Sequence, residues 1–245
     1  MTTAPDIRDA LRAGESLVGL WAAIPAPLTA EVAAEAGADY VVVDQQHGAV
    51  DPSTMLSLLQ AIAAGGAAPL VRVARNDPWV IGHALDLGAH GVIVPMVEDE
   101  REAAAAVAAC RYAPEGVRSF GALRAAAVEA PLCLVMIETR AGLEHVGAVA
   151  RTPGLDGIYI GPSDLALSLG LQPTLRLEHP PVLEALETIR AACGSAGIAC
   201  GLHCLAAEDV PVHAARGFSP ITAGGDLLYL REALAAALAT ARRPG

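Results

Sequence analysis

The chain contains no lysine: all 16 of its Lys+Arg residues are arginines. An enzyme that works through a carbonyl carbanion needs an electron sink, and proteins supply one through a lysine Schiff base or a divalent cation acting as Lewis acid. The first route is closed to this chain. Aromatics are scarce at 3%, although 53% of the 245 residues are hydrophobic. A core built from Ala, Val and Leu suits small-residue helices packed closely on buried parallel strands. Basic charge is scarce too: the net charge is −11 and the pI about 5.0, so the surface repels phosphate backbones and anionic headgroups. Nucleic acid and membrane partners are not expected. No apolar run approaches the roughly 20 residues that span a bilayer, and the N-terminus lacks a basic-then-apolar signal. A cytoplasmic protein is expected, and an odd count of five cysteines in apolar segments reads as reduced core thiols.

What the chain does have is a repeated grammar. A helical Ala/Leu stretch runs into a glycine fit for a left-handed cap and then into a short β-branched run, as in AEAGADYVVVD and LDLGAHGVIVP. Eight strands are predicted, near 17–23, 39–44, 70–74, 91–95, 132–137, 157–160, 198–202 and 219–223. Apolar strands alternating with helices mean a parallel sheet, and eight of them favour an α/β fold of the (β/α)8 TIM barrel type over an open doubly wound sheet. No linker or composition shift interrupts the pattern, so residues 1–245 are read as a single domain. Two stretches fall outside the grammar. Residues 111–131 are expected to pack over the barrel mouth or to contact another subunit, and Gln172–Pro181 reads as an irregular insertion.

Such a barrel gathers its active site at the C-terminal ends of the strands. There the sequence offers Asp44 and His47 after the second strand, Arg72 in the third, Glu138 after the fifth, and Gly161-Pro162-Ser163-Asp164 after the sixth. Two carboxylates at strand ends, Glu138 and Asp164, suit a hydrated Mg²⁺, Mn²⁺ or Co²⁺. Spacing alone does not choose between that and the structural alternative, in which Glu138 pairs with Arg72 or Arg140 while Asp164 caps a helix starting at Leu165. The backbone N–H groups of Ser163 and Asp164 at a helix start would welcome a carboxylate, although GPSD is also an ordinary proline turn. His47 is placed on the rim as a general base or as a hydrogen-bonding strand-end residue. Arg72, inside an apolar strand, requires an anion: Asp44, Glu138 or substrate. In CGLHC, strand alternation sends Cys200 and Cys204 to one face and His203 to the other, which counts against zinc. His83, His90, His145, His179 and His213 are expected to face solvent.

With GLWAAIPAP, ADYVVVDQQHG, PLVRVARND, RYAPEGVRSFG, IETRAGLE and DGIYIGPSDLALSLG in this order, the chain resembles the HpcH/HpaI aldolase family, the metal-dependent (class II) pyruvate aldolases. The likeness covers most of the sequence. It implies reversible cleavage of a 4-hydroxy-2-oxo acid to pyruvate, or a close analogue, and an aldehyde. Glu138 and Asp164 resemble the metal ligands, His47 the base, and Arg72 the arginine that steadies the enolate oxygen. Gly161, Pro162, Ser163 and Asp164 match the strand-end motif whose amides bind the pyruvate carboxylate, and Asp86 matches an aspartate that raises the basicity of the histidine, with Asp44 as the local alternative. The resemblance also implies a homo-oligomer, a trimer or hexamer, with the last helix exchanged between subunits; the Ala/Leu-rich faces of that helix need cover in any case. Three departures bear on substrate identity: Gln46 in place of an acidic residue before the histidine, Met136 in place of a substrate-contacting glutamine, and a short segment between Arg118 and the fifth strand. The rival readings are an acyl-CoA lyase of the citrate-lyase-β or malyl-CoA-lyase type, and a catalytically idle barrel that binds or assembles.

Overall fold

A glycine in the left-handed region ends each of the early helices and turns the chain into the next strand. Gly37 (φ 97°) follows α2 (Pro27–Glu35) and Gly88 (φ 101°) follows α4 (Pro78–Asp86), and within three residues of each a strand begins. At the opposite end, aspartates start the helices. Asp51 and Asp77 accept from the second and third N–H groups of α3 (Pro52–Ala64) and α4, with proline at the first helical position. These local rules repeat around a computed structural model that describes residues 6–121 and 130–243.

Eight parallel strands close a barrel in sequence order: β1 (Val18–Ala22), β2 (Tyr40–Asp44), β3 (Ala68–Arg72), β4 (Gly91–Val94), β5 (Leu132–Ile137), β6 (Gly157–Ile160), β7 (Ala199–Cys204) and β8 (Ile221–Gly225). The remaining helices are α1 (Ile7–Arg12), α5 (Glu100–Cys110), α6 (Arg140–Glu144), α7 (Val146–Ala150), α8 (Pro162–Ser168), α9 (Pro180–Ala196), α10 (Val210–Ala214) and α11 (Asp226–Ala241). This is the (β/α)8 barrel expected. The third strand is displaced: it begins at Ala68 and ends at Arg72, not at residue 74, so Arg72 closes the strand.

Strand alternation divides the core in two. Tyr40, Val42, Leu70, Leu134, Met136 and Tyr159 point into the barrel, whereas Val41, Val43, Val71, Val135, Ile158 and Ile160 pack outward against the helices. Ile7 of α1 joins the inner cluster with Leu17 and Leu132, covering the N-terminal end of the barrel. Continuing each inward series by two residues past the apolar layer gives Asp44 from Val42, Arg72 from Leu70, Glu138 from Met136 and Gly161 from Tyr159. The barrel interior is therefore apolar below and polar at its C-terminal mouth.

Two further expectations are corrected, and the reading of the cysteines as buried thiols holds. The described part of the irregular stretch, residues 111–121, follows the C-terminal end of α5 and so lies at the end of the barrel away from the mouth; residues 122–129 of that stretch fall outside the described residues. His213 does not face solvent: it is buried against the edge of Phe218, their rings 5.6 Å apart. The five cysteines are free and buried, with Cys200 and Cys204 in the helix-facing layer.

Candidate active site

Residues Asp44, His47, Arg72, Met136, Glu138, Gly161, Pro162, Ser163 and Asp164 line one cavity of about 250 Å³ at the mouth, together with Trp21 and His203. Each is delivered by the end of a strand, by the turn that follows it or, for Pro162, Ser163 and Asp164, by the first turn of α8. A cavity slightly below the usual range for ligand pockets suits a small substrate.

Asp44 and Arg72 are register partners on neighbouring strands. The guanidinium grips the carboxylate at two points, Nε to Oδ1 at 2.8 Å and Nη2 to Oδ2 at 2.6 Å. Asp44 Oδ1 also accepts the N–H groups of Gln46 at 3.0 Å and His47 at 3.3 Å, so one carboxylate both orients the arginine and shapes the loop that carries the histidine. Burial alone would raise the pKa of Asp44, but the hydrogen bonds and charge of Arg72 outweigh it and hold the carboxyl below its usual range. Arg72 lies over the Trp21 ring, 5.0 Å from its centroid. Its Nη1 is left over from the pair with Asp44.

Glu138 has the opposite environment. Its Oε1 accepts from Met96 N–H at 2.8 Å, while its Oε2 is buried with no hydrogen-bond partner. Met96 supplies that N–H from the left-handed region (φ 58°), a sparsely populated conformation for a residue with a side chain. Burial raises the pKa of Glu138; the negative charge of Asp164 raises it further, against the opposing effects of the Met96 bond and of Arg72. Gly161 is required beside it, because a Cβ there would overlap Glu138 Oε2. Asp164 belongs to the first turn of α8, which begins at Pro162, so it does not cap a helix starting at Leu165. The chemistry of this pair fits a divalent cation: an orphaned buried carboxylate oxygen within the field of a second carboxylate. Among the described residues no group of three or more His, Cys, Asp or Glu offers a denser site.

Asp86 is not brought into the cavity. It ends α4 at the far rim of the barrel, where Arg118 Nη2 pairs with its Oδ1 at 2.7 Å. Within one chain it cannot orient His47, and Asp44 is the aspartate in contact with that loop. Trp21 and His203 were not expected at the site. The signal was available in GLW and GLH, where a glycine two residues earlier on the same strand marks the inward face.

The family model described as HpcH/HpaI aldolase/citrate lyase matches residues 17–233. The chain belongs to that family. Among curated HpcH/HpaI relatives, the hydroxypyruvate/pyruvate aldolase of Rhizorhabdus wittichii is 37% identical, with 96% of this chain and 98% of that protein covered. The pyruvate aldolase of Rhizobium etli is 44% identical over 72% of this chain and 74% of its own length. Among solved structures, an HpcH/HpaI aldolase/citrate lyase family protein from Burkholderia cenocepacia superposes with a TM-score of 0.89 at 32% identity, covering 96% of this chain and 98% of that one.

Proposed function

We propose that this chain is a divalent-metal-dependent aldolase that reversibly cleaves a 4-hydroxy-2-oxo acid to pyruvate, or a close analogue, and an aldehyde. The observation that carries the reading is Glu138, buried, one oxygen short of a partner, and facing the charge of Asp164. Glu138 and Asp164 would hold the cation. When bound, Mg²⁺, Mn²⁺ or Co²⁺ would supply the Lewis acidity that a chain without lysine cannot replace by a Schiff base.

The chain's own residues do the rest. The N–H groups of Ser163 and Asp164, second and third in α8, have no acceptor within the helix and would receive the carboxylate of the oxo acid. Arg72, held by Asp44, would turn Nη1 to the oxygen that becomes an enolate, a preorganised charge that needs no rearrangement as the bond breaks. His47 would take the proton of the 4-hydroxyl, directly or through one water, as the C3–C4 bond cleaves. Among the residues lining the cavity Arg72 is the one arginine, and it is committed to Asp44, which disfavours an acyl-CoA ester with its anionic nucleotide.

We further propose a homo-oligomer. No residue of α11 is buried, and Leu227, Leu230, Leu234 and Leu238 lie exposed at helical spacing along it, so a second copy of the chain would cover this face; a monomer at micromolar concentration in sedimentation would contradict that. No helix among the described residues is long and apolar enough to cross a membrane. Buried free thiols agree with a reducing cytoplasm as the site of action.

The test is turnover of a 4-hydroxy-2-oxo acid, and decarboxylation of oxaloacetate, with excess EDTA and after adding back Mg²⁺ or Mn²⁺. Activity should vanish and return, and borohydride with pyruvate should trap no adduct. Full activity in EDTA, or a covalent adduct, contradicts the mechanism; no activity under any condition leaves the idle barrel.

A further inference from the structure

We propose that His203 is a specificity-determining residue: its free ring nitrogen selects a 2-oxo acid bearing a hydroxyl on C3 over one bearing only hydrogen there. The inference rests on the aldolase reading above, in which C3 is the carbon made nucleophilic.

The ring is fixed on two sides. β7 and β8 place His203 opposite Thr222, and Nδ1 lies 2.7 Å from Thr222 Oγ1. Thr222 Oγ1 is in turn 2.7 Å from the Tyr159 hydroxyl, which reaches the Leu202 carbonyl at 3.3 Å. The Trp21 ring closes the other side in an edge-to-face contact, ring centroids 4.8 Å apart. Three coupled polar groups and an aromatic wall leave the imidazole little freedom. Nε2 has no hydrogen-bond partner among the described residues, and the side chain lines the cavity.

The charge state narrows the ligand. Burial, then the nearby Arg72 guanidinium, push the imidazole down to about 4 against the opposing charge of Asp44, so the ring is neutral where the enzyme would work. A neutral ring beside an arginine gives no reason for a second carboxylate, and a group of such low basicity is no competitor to His47 for the proton. What it can recognise is a neutral polar substituent. With Tyr159 donating to the Leu202 carbonyl, Thr222 donates to Tyr159 and accepts from Nδ1–H, so Nε2 is left as an acceptor, which a substrate hydroxyl satisfies. Met136 and the Trp21 face, the neighbouring walls, offer apolar contact and no such discrimination. An oxo acid with no substituent leaves Nε2 unpaired in a closed site, the circumstance in which hydrogen-bonding pockets discriminate best.

The experiment compares 3-hydroxypyruvate with pyruvate as donor toward glycolaldehyde, in wild type, His203→Leu and His203→Asn, each loaded with Mn²⁺. The ratio of kcat/KM for hydroxypyruvate to that for pyruvate should fall about tenfold or more in His203→Leu, and part of it should return in His203→Asn, which keeps a hydrogen-bonding group. Calorimetric titration of the same two acids should give a matching change in the ratio of dissociation constants. Should the leucine variant fail to fold, the asparagine variant and the titrations decide. An unchanged ratio in folded variants, or a wild type that favours pyruvate, overturns the assignment. A wild type that binds both acids but condenses neither overturns the aldolase reading instead, and the binding ratio still judges His203.

Discussion

Asp44 and Glu138 occupy the same polar layer of the barrel mouth, and both are nearly sealed from solvent, at 2% and 1% exposure. Asp44 is answered on every side: two bonds from Arg72 and two from backbone N–H groups hold it ionised below the ordinary carboxylate range. Glu138 receives one N–H, leaves Oε2 orphaned, and has its pKa raised by burial and by the charge of Asp164. Burial is common to both, so the difference lies in their partners. A folded protein has no reason to bury an unanswered carboxylate beside another carboxylate unless something from outside completes it. On the proposed reading the paired aspartate is scaffold, and the unpaired glutamate is the group that would receive the cation.

Breaking the unpaired side should have the largest effect on activity. Glu138→Gln keeps the shape and removes the charge that would hold the cation, whose Lewis acidity contributes several kcal/mol, so turnover should fall by about 10³-fold or more. Steady-state rates at saturating Mn²⁺ measure this. His47→Ala should lower aldol cleavage by about 10²–10⁴, the usual share of a positioned base, while decarboxylation of oxaloacetate, which forms the enolate by loss of CO₂ with no hydroxyl proton to remove, suffers less. Equal losses in the two reactions would reassign His47 to a structural role. Arg72→Lys should cost about 10²–10³ in kcat, because an ammonium cannot grip Asp44 at two points and still present a nitrogen to the enolate oxygen. Near wild-type turnover would reduce Arg72 to an ion pair.

The smallest effects are on the stability of the metal-free protein, and there the two carboxylates should differ in sign. The folded pKa of Asp44 is depressed, so its contribution is present above the unfolded carboxylate value and is lost as pH falls through the folded one. Glu138 is raised, so its contribution is complete below the unfolded value and is lost as pH rises through the folded one. At neutral pH, thermal unfolding in EDTA should therefore show Asp44→Asn destabilised, by about 3 kcal/mol for a broken buried pair, and Glu138→Gln unchanged or stabilised. Destabilisation of both would erase the distinction.

Much of this layout was legible in the sequence because it follows from periods of two. The ranges expected for the fifth and sixth strands, 132–137 and 157–160, coincide with β5 and β6. Closure of eight short apolar strands into a barrel followed from their alternation with helices. β3 was misplaced because Val71 and Val73 extend its β-branched appearance, while Pro69 disguises its start. The two-point pairing of Asp44 with Arg72 was one of three open partners for the arginine, since register between strands is a property of the closed barrel and not of either segment. His203 went unremarked as a site residue because its string invited a metal reading, although the alternation that excluded zinc already turned the imidazole inward. Asp86 was carried over by resemblance, and within one chain its position at the end of α4 does not bring it to the cavity. The orphaned Oε2 of Glu138 could not be read in advance, because it depends on Met96, 42 residues away, adopting a left-handed backbone to bond only one of the two oxygens.

On the proposed reading the unpaired carboxylate, and not the paired one, receives the cation. Titration of Mn²⁺ followed by electron paramagnetic resonance, in wild type, Glu138→Gln and Asp44→Asn, tests it without reference to turnover. The wild type should bind Mn²⁺ tightly, Glu138→Gln should lose that binding, and folded Asp44→Asn should retain it. Retention in Glu138→Gln with loss in Asp44→Asn would contradict it.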